Sequence, residues 1–174
     1  HRYYQQVAKL RKYYHVFGTP SGVKDKGPSG GTLVLISKSL HVDEMGGIEK
    51  PNNGSNWSIG IVRTEKISFA VLSVYLPPGD HDTAFLTMWY VQRVLQELKI
   101  PYIVCGDFNT EPNEVGQRCW APFLQGTIFH PPGATVTCLA GTEGSLIDWA
   151  VTSTHMSALI EKAEIVTHLP VHTH

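Results

Sequence analysis

The chain has little cysteine, no excess of either charge and no long hydrophobic run. Its three cysteines, Cys105, Cys119 and Cys138, are odd in number and include no CxxC pair, which argues against a disulfide framework and against a structural zinc site. Lys plus Arg total 14 against 15 Asp plus Glu, so a net charge of −1 gives no global attraction for a polyanion, and any nucleic acid has to be held by local charge. No segment approaches the roughly 18 consecutive apolar residues of a membrane span. The opening HRYYQQVAKLRKYY lacks the apolar core of a signal peptide. These absences lead us to expect a soluble, intracellular protein, with the nucleus among its compartments. Internal repeats, low-complexity tracts and interdomain linkers are also missing, and so is an initiator Met. We therefore expect residues 1–174 to form one incomplete domain that opens in the middle of a gene product.

What is present is enough to fold. A hydrophobic content of 42%, with 10% aromatics, can build a core in 174 residues. Tyr3, Val7, Leu10 and Tyr14 share one face of a first helix. GTPSGVKDKGPSGG then reads as loop, because its glycines and prolines interrupt regular structure. Thr32–Ser37 is an apolar, β-branched strand, and HVDEMGGIEKPNNGSN returns to loop. The segments 57–62 and 67–75, separated by RTEK, predict a β-hairpin. Leu76-Pro-Pro-Gly ends the second strand, because proline donates no ladder hydrogen bond. From Asp82, the expected N-cap, to Lys99, the residues Phe85, Met88, Trp89, Leu95 and Leu98 recur at helical spacing. Tyr102–Cys105 and Leu146–Thr152 read as further strands, with another at 163–166. Strands in succession with few helices between them favour a largely antiparallel mixed sheet.

Gly106-Asp107-Phe108-Asn109 places a carboxylate and an amide two residues apart at the end of an apolar strand. Alternation puts both on one side of an extended backbone, where they can converge on a metal ion or a water. An ordinary Asx turn explains the same four residues. Asp148, between Ile147 and Trp149, reads as a buried carboxylate that needs a partner. Tyr75 either caps the core with its ring or faces the site.

Four motifs in fixed order, SVYLPPG, GDFNTEPNE, GSLIDWAVTS and THLPV, resemble the endonuclease/exonuclease/phosphatase (DNase I-like) superfamily. The retrotransposon-type and abasic-site-type endonucleases are the most similar branches. GGTLVLISKSL resembles the superfamily's Gly-Gly strand, so the likeness covers essentially the whole chain. The resemblance implies an α/β fold, a four-layer sandwich of two packed mixed β-sheets flanked by helices, here incomplete. It implies metal-dependent phosphodiesterase chemistry, with nucleic acid as substrate and Mg2+ or Mn2+ as the cation. By the same resemblance Asp107 positions or deprotonates the attacking water, Asn109 orients it, and both contact the metal. Asp148 holds the catalytic His168, His168 steadies the scissile phosphate, and Tyr75 binds phosphate.

The departures from the pattern are specific. Thr167 stands where the superfamily usually has a metal-binding aspartate, and Pro78 stands where abasic-site enzymes have an asparagine. No upstream strand supplies the usual asparagine and glutamate. This chain is therefore expected to be weakly active or inactive, the alternatives being a degenerate or fragmentary non-catalytic domain and a phosphoinositide phosphatase. A zinc site at His168, His172 and His174, and roles for the Asp80–Asp82 cluster or for Glu111 and Glu114, are less economical than solvation and capping.

Overall fold

A computed structural model describes residues 7–20, 22–24, 27–29, 31–43, 56–112, 119–130, 133, 136–138 and 144–161. The strands are β1 (Tyr14–Thr19), β2 (Gly22–Lys24), β3 (Gly27–Ser29), β4 (Thr32–Ser37), β5 (His41–Asp43), β6 (Trp57–Arg63), β7 (Ser68–Tyr75), β8 (Tyr102–Asp107), β9 (Thr127–Phe129) and β10 (Asp148–Thr152). The helices are α1 (His81–Leu98), α2 (Trp120–Leu124) and α3 (Thr154–Ser157). Residues 7–10 add a helical turn.

Six of the described strands form the central sheet in the order β5-β6-β7-β8-β10-β9. Its described pairs are antiparallel except β7–β8, which run parallel and are joined through α1, as a parallel pair requires. Alternation along β7 assigns the two faces. Ala70, Leu72 and Val74 join Met88, Val91 and Leu95 of α1 in the main core, while Phe69 and Val71 turn the other way, towards Val34, Ile36 and Val62. The antiparallel pair β1–β4 packs on that second face. A methyl group built on Gly60 would lie 2.6 Å from Ile36 Cδ1 and 3.0 Å from the Phe17 ring, so glycine is what lets the small sheet approach β6. Between the sheets the buried hydroxyls of Thr32 and Ser58 bond to each other at 2.5 Å. The fold is thus an α/β sandwich of two packed sheets, with α1 covering the outer face of the larger one.

Several local expectations are corrected. Tyr14 opens β1 rather than closing a helix. The Gly/Pro-rich segment forms the hairpin β2–β3, in which Pro28 faces Val23. Every strand of a two-stranded ribbon is an edge, so a proline there need not cost a ladder bond. His41–Asp43 is not loop, because it pairs with the end of β6. α2 and β9 were not foreseen, and the expected strand at 163–166 lies outside the described residues. At α1 the N-cap is Asp80, not Asp82: its carboxylate accepts from Thr83 N at 3.1 Å and from the Thr83 hydroxyl at 2.7 Å. Asp80→Ala should therefore cost about 1 kcal/mol, read as a lowered denaturation midpoint with an unchanged slope; an unchanged midpoint would show that the cap contributes nothing.

Candidate active site at the ends of β7, β8 and β10

β7 and β8 end together. Their parallel register sets Tyr75 beside Asp107, and the antiparallel register of β10 sets Asp148 opposite Asp107 on the other side. Register partners share a face, so Tyr75, Asp107 and Asp148 form one row across three strands, on the face that also carries Val71. The Phe108 amide donates to Ile147 O at 2.9 Å, which makes Asp107 and Asp148 a non-hydrogen-bonded pair. Such pairs bring opposed side chains closest, with Cβ atoms about 4.5–5.5 Å apart. Two carboxylates at that spacing repel unless a cation or a proton lies between them.

Asn109 adjoins this row through a local turn. Its backbone amide donates to Asp107 Oδ1 at 3.0 Å, its side-chain Nδ2 donates to Leu76 O at 2.8 Å, and its φ is +50°. Asn tolerates the left-handed region better than most residues, which explains why it stands here. One Nδ2 N–H is anchored on Leu76 O, which fixes the amide plane; the second N–H or Oδ1 can meet a water, and Oδ1 alone can meet a cation.

Beneath the row is an aromatic base. Asp107-Phe108 and Asp148-Trp149 each pair an acid on one face with an aromatic ring on the other. The two rings stack with centroids 3.9 Å apart, and the Trp149 indole donates to Thr110 O at 2.8 Å. Phe108 is 1% exposed and Trp149 5%. Gly106 completes the geometry: with φ +149°, a Cβ there would fall 2.0 Å from Val74 O. Gly106→Ala should destabilise the chain by on the order of 3 kcal/mol, since backbone cannot yield as a side chain does. A thermal midpoint equal to that of the parent would refute the requirement.

The sequence expectations meet this geometry unevenly. Tyr75, Asp107, Asn109 and Asp148 lie at adjoining strand ends. Asp148 corrects one of them: it is the exposed first residue of β10, not a buried carboxylate. The thiol of Cys105, two residues before Asp107, is pushed up to about 11 by burial, which leaves it unsuited to act as a thiolate nucleophile at neutral pH. His168, Thr167, Glu114 and the terminal histidines lie outside the described residues. Among the described residues no group of three or more His, Cys, Asp and Glu could hold a metal ion, and no helix is long and apolar enough to cross a membrane. Sequence reasoning missed a cleft of about 450 Å³ beside Asn109, lined by Pro77, Phe85, Phe108, Thr110 and Trp120 among others. Of the two acid-then-aromatic pairs only the first contributes a ring to it, Phe108; the rest of its wall comes from Leu76-Pro-Pro-Gly and the start of α1.

No family model and no curated protein sequence matches the chain. Solved structures do. The endonuclease domain of TRAS1, a telomere-specific non-LTR retrotransposon, superposes with a TM-score of 0.58 at 18% identity, over 89% of this chain and 80% of that one. The human Nocturnin catalytic domain with bound sulfate anion gives 0.55 at 19% identity, over 86% of this chain. An endonuclease/exonuclease/phosphatase family protein from Bacteroides thetaiotaomicron gives 0.58 at 16% identity, also over 86% of this chain. The chain spans 64% of the length of each of the last two. At these identities the likeness is one of fold, and the chain has the fold of the endonuclease/exonuclease/phosphatase, or DNase I-like, superfamily.

Proposed function

We propose that the chain is a metal-dependent phosphodiesterase-type domain, an endonuclease acting on nucleic acid. The observation that carries this reading is the opposition of Asp107 and Asp148 at the ends of adjoining strands, flanked by Tyr75 and Asn109. The repulsion between the facing carboxylates is weak because Asp148 is exposed, and the pair sets oxygen donors close enough to share a cation or a proton. Asp107 and Asn109 offer hard oxygen donors, with Asp148 alongside. This fits a small divalent cation such as Mg2+ or Mn2+, which is bound through one or two carboxylates and completes its shell with water and substrate phosphate. When bound, the cation supplies Lewis-acid polarisation of the phosphoryl group and a more acidic water.

The chain's own residues do the rest. Asp107 is held by the Asn109 amide through Oδ1, which fixes the carboxylate so that it can orient a water and take its proton. Asn109 presents Oδ1 to the same water. The Tyr75 hydroxyl donates to a phosphate oxygen, and Asp148 orients the imidazole of His168, which stabilises charge on the phosphate. With Thr167 in place of a carboxylate, cation binding is weak and turnover slow. Nicking of supercoiled DNA and cleavage of abasic duplex in Mn2+ are the direct tests, run beside release of inorganic phosphate from inositol phosphates. Cleavage of DNA that requires the metal supports the reading. Release from inositol phosphates alone would assign the site to phosphomonoesters instead.

A further inference from the structure

We propose that the chain pairs with a second copy of itself through the outward face of α1, the two helices lying antiparallel about a twofold axis. The pairing uses no residue of the carboxylate row and stands whether or not the endonuclease reading does.

The residues of α1 build this face. Successive positions of a helix turn by about 100°, so Asp82, Leu86, Trp89 and Arg93 fall within one arc of about 60°. That arc lies opposite the buried residues Ala84, Thr87, Met88, Val91, Val94 and Leu95. A helix that only covers a sheet carries polar residues on its outer face. Here that face holds Leu86, 52% exposed, and the half-buried Trp89, with Phe85 and Tyr90 flanking them on either side.

The arc is its own complement. Its spacing is four, three and four residues, so a second α1 laid antiparallel across it sets position 82 against 93 and position 86 against 89, twice over. Asp82 of one copy then meets Arg93 of the other, and Leu86 meets Trp89. In the same register Phe85 faces Tyr90, and Glu97 falls opposite Pro78, ahead of the helix, so no two like charges of α1 oppose each other. Parallel helices about a twofold axis would instead set Asp82 against Asp82.

Arg93 is already placed for this contact. Its guanidinium lies over the Trp89 ring, 5.0 Å from the centroid, which holds the charge above the arc. Among the described residues neither Arg93 nor Asp82 joins an ion pair, and both are exposed. Trp, Tyr and Arg are the side chains that most often anchor protein interfaces, and a net charge of −1 adds little repulsion between copies. α1 covers the face of the central sheet opposite to the carboxylate row, so both candidate sites stay open in the pair.

Sedimentation equilibrium of the purified chain over a concentration series should show monomer and dimer in exchange. Asp82→Lys and Arg93→Glu each set like charges against each other at both ends of the pair, and each alone should weaken dimerisation by at least about tenfold. Mixed one to one, the two variants should recover dimer to within about threefold of the parent, because every introduced charge then meets its opposite. Leu86→Gln, at an exposed position that leaves the core intact, should also weaken the dimer by about tenfold through lost apolar contact. A parent that stays monomeric throughout the series would overturn the pairing. So would single reversals that dimerise as the parent does, or a mixture that stays as dissociated as its components. If a reversal unfolds the chain, as thermal melts would show, Leu86→Gln decides alone: an unchanged dimer overturns the pairing and a tenfold loss supports it.

Discussion

Asp107→Asn should lower metal-dependent phosphodiester cleavage by about 10²- to 10⁴-fold, the range expected on losing a positioned general base. The substitution is isosteric, and an amide oxygen can still accept from the Asn109 backbone amide, so the turn that places Asn109 should persist. What disappears is one negative charge directly opposite Asp148. Affinity for Mn2+, followed by titration calorimetry without substrate, should fall at least tenfold. Stability without metal should hold or rise by no more than about 0.5 kcal/mol, because Asp148 is exposed and solvent screens the repulsion. Falling activity and metal affinity with unimpaired folding separate a functional carboxylate from a structural one. If the variant cleaves DNA and binds Mn2+ as the parent does, Asp107 is only a turn residue.

The second large effect is on stability. Trp149→Ala removes a ring that stacks on Phe108 at 3.9 Å and donates to Thr110 O at 2.8 Å. Loss of a buried aromatic costs about 3–5 kcal/mol through transfer and cavity terms together, which for a chain of this size lowers the thermal midpoint by roughly 10 °C. Trp149→Phe keeps much of the stack and loses the hydrogen bond, so about 1 kcal/mol of that cost should remain. Because Trp149 and Asp148 are successive on β10, even a folded Trp149→Ala chain should lose activity as the carboxylate row shifts. A thermal midpoint within 2–3 °C of the parent, well short of roughly 10 °C, would show that the stack is incidental.

The long apolar segments were legible from the sequence because burial leaves an alternation that composition reveals. Strand β4 matched its expected bounds, β6 and β7 formed the expected hairpin, and α1 fell within a residue of its expected span. Gly106-Asp107-Phe108-Asn109 announced itself as the end of a buried strand, and the order of the four motifs pointed to a fold that the superpositions bear out. Short elements were not legible. β2, β3, β5 and β9 are each three residues long, too short for a period to show, and they exist because a neighbouring strand offers hydrogen bonds. Asp148 shows the limit most clearly. Its flanking residues suggested burial, but whether a residue at a strand end faces protein or water depends on what packs over it. The pairing of Asp148 with Asp107, 41 positions apart, is a matter of register between β8 and β10. Local residues decided that β8 would end, and β10 begin, on an acid followed by an aromatic ring. Only the tertiary structure decided that the two acids face each other and that their rings stack beneath, because register is set by burial along whole strands rather than by the motif at their ends.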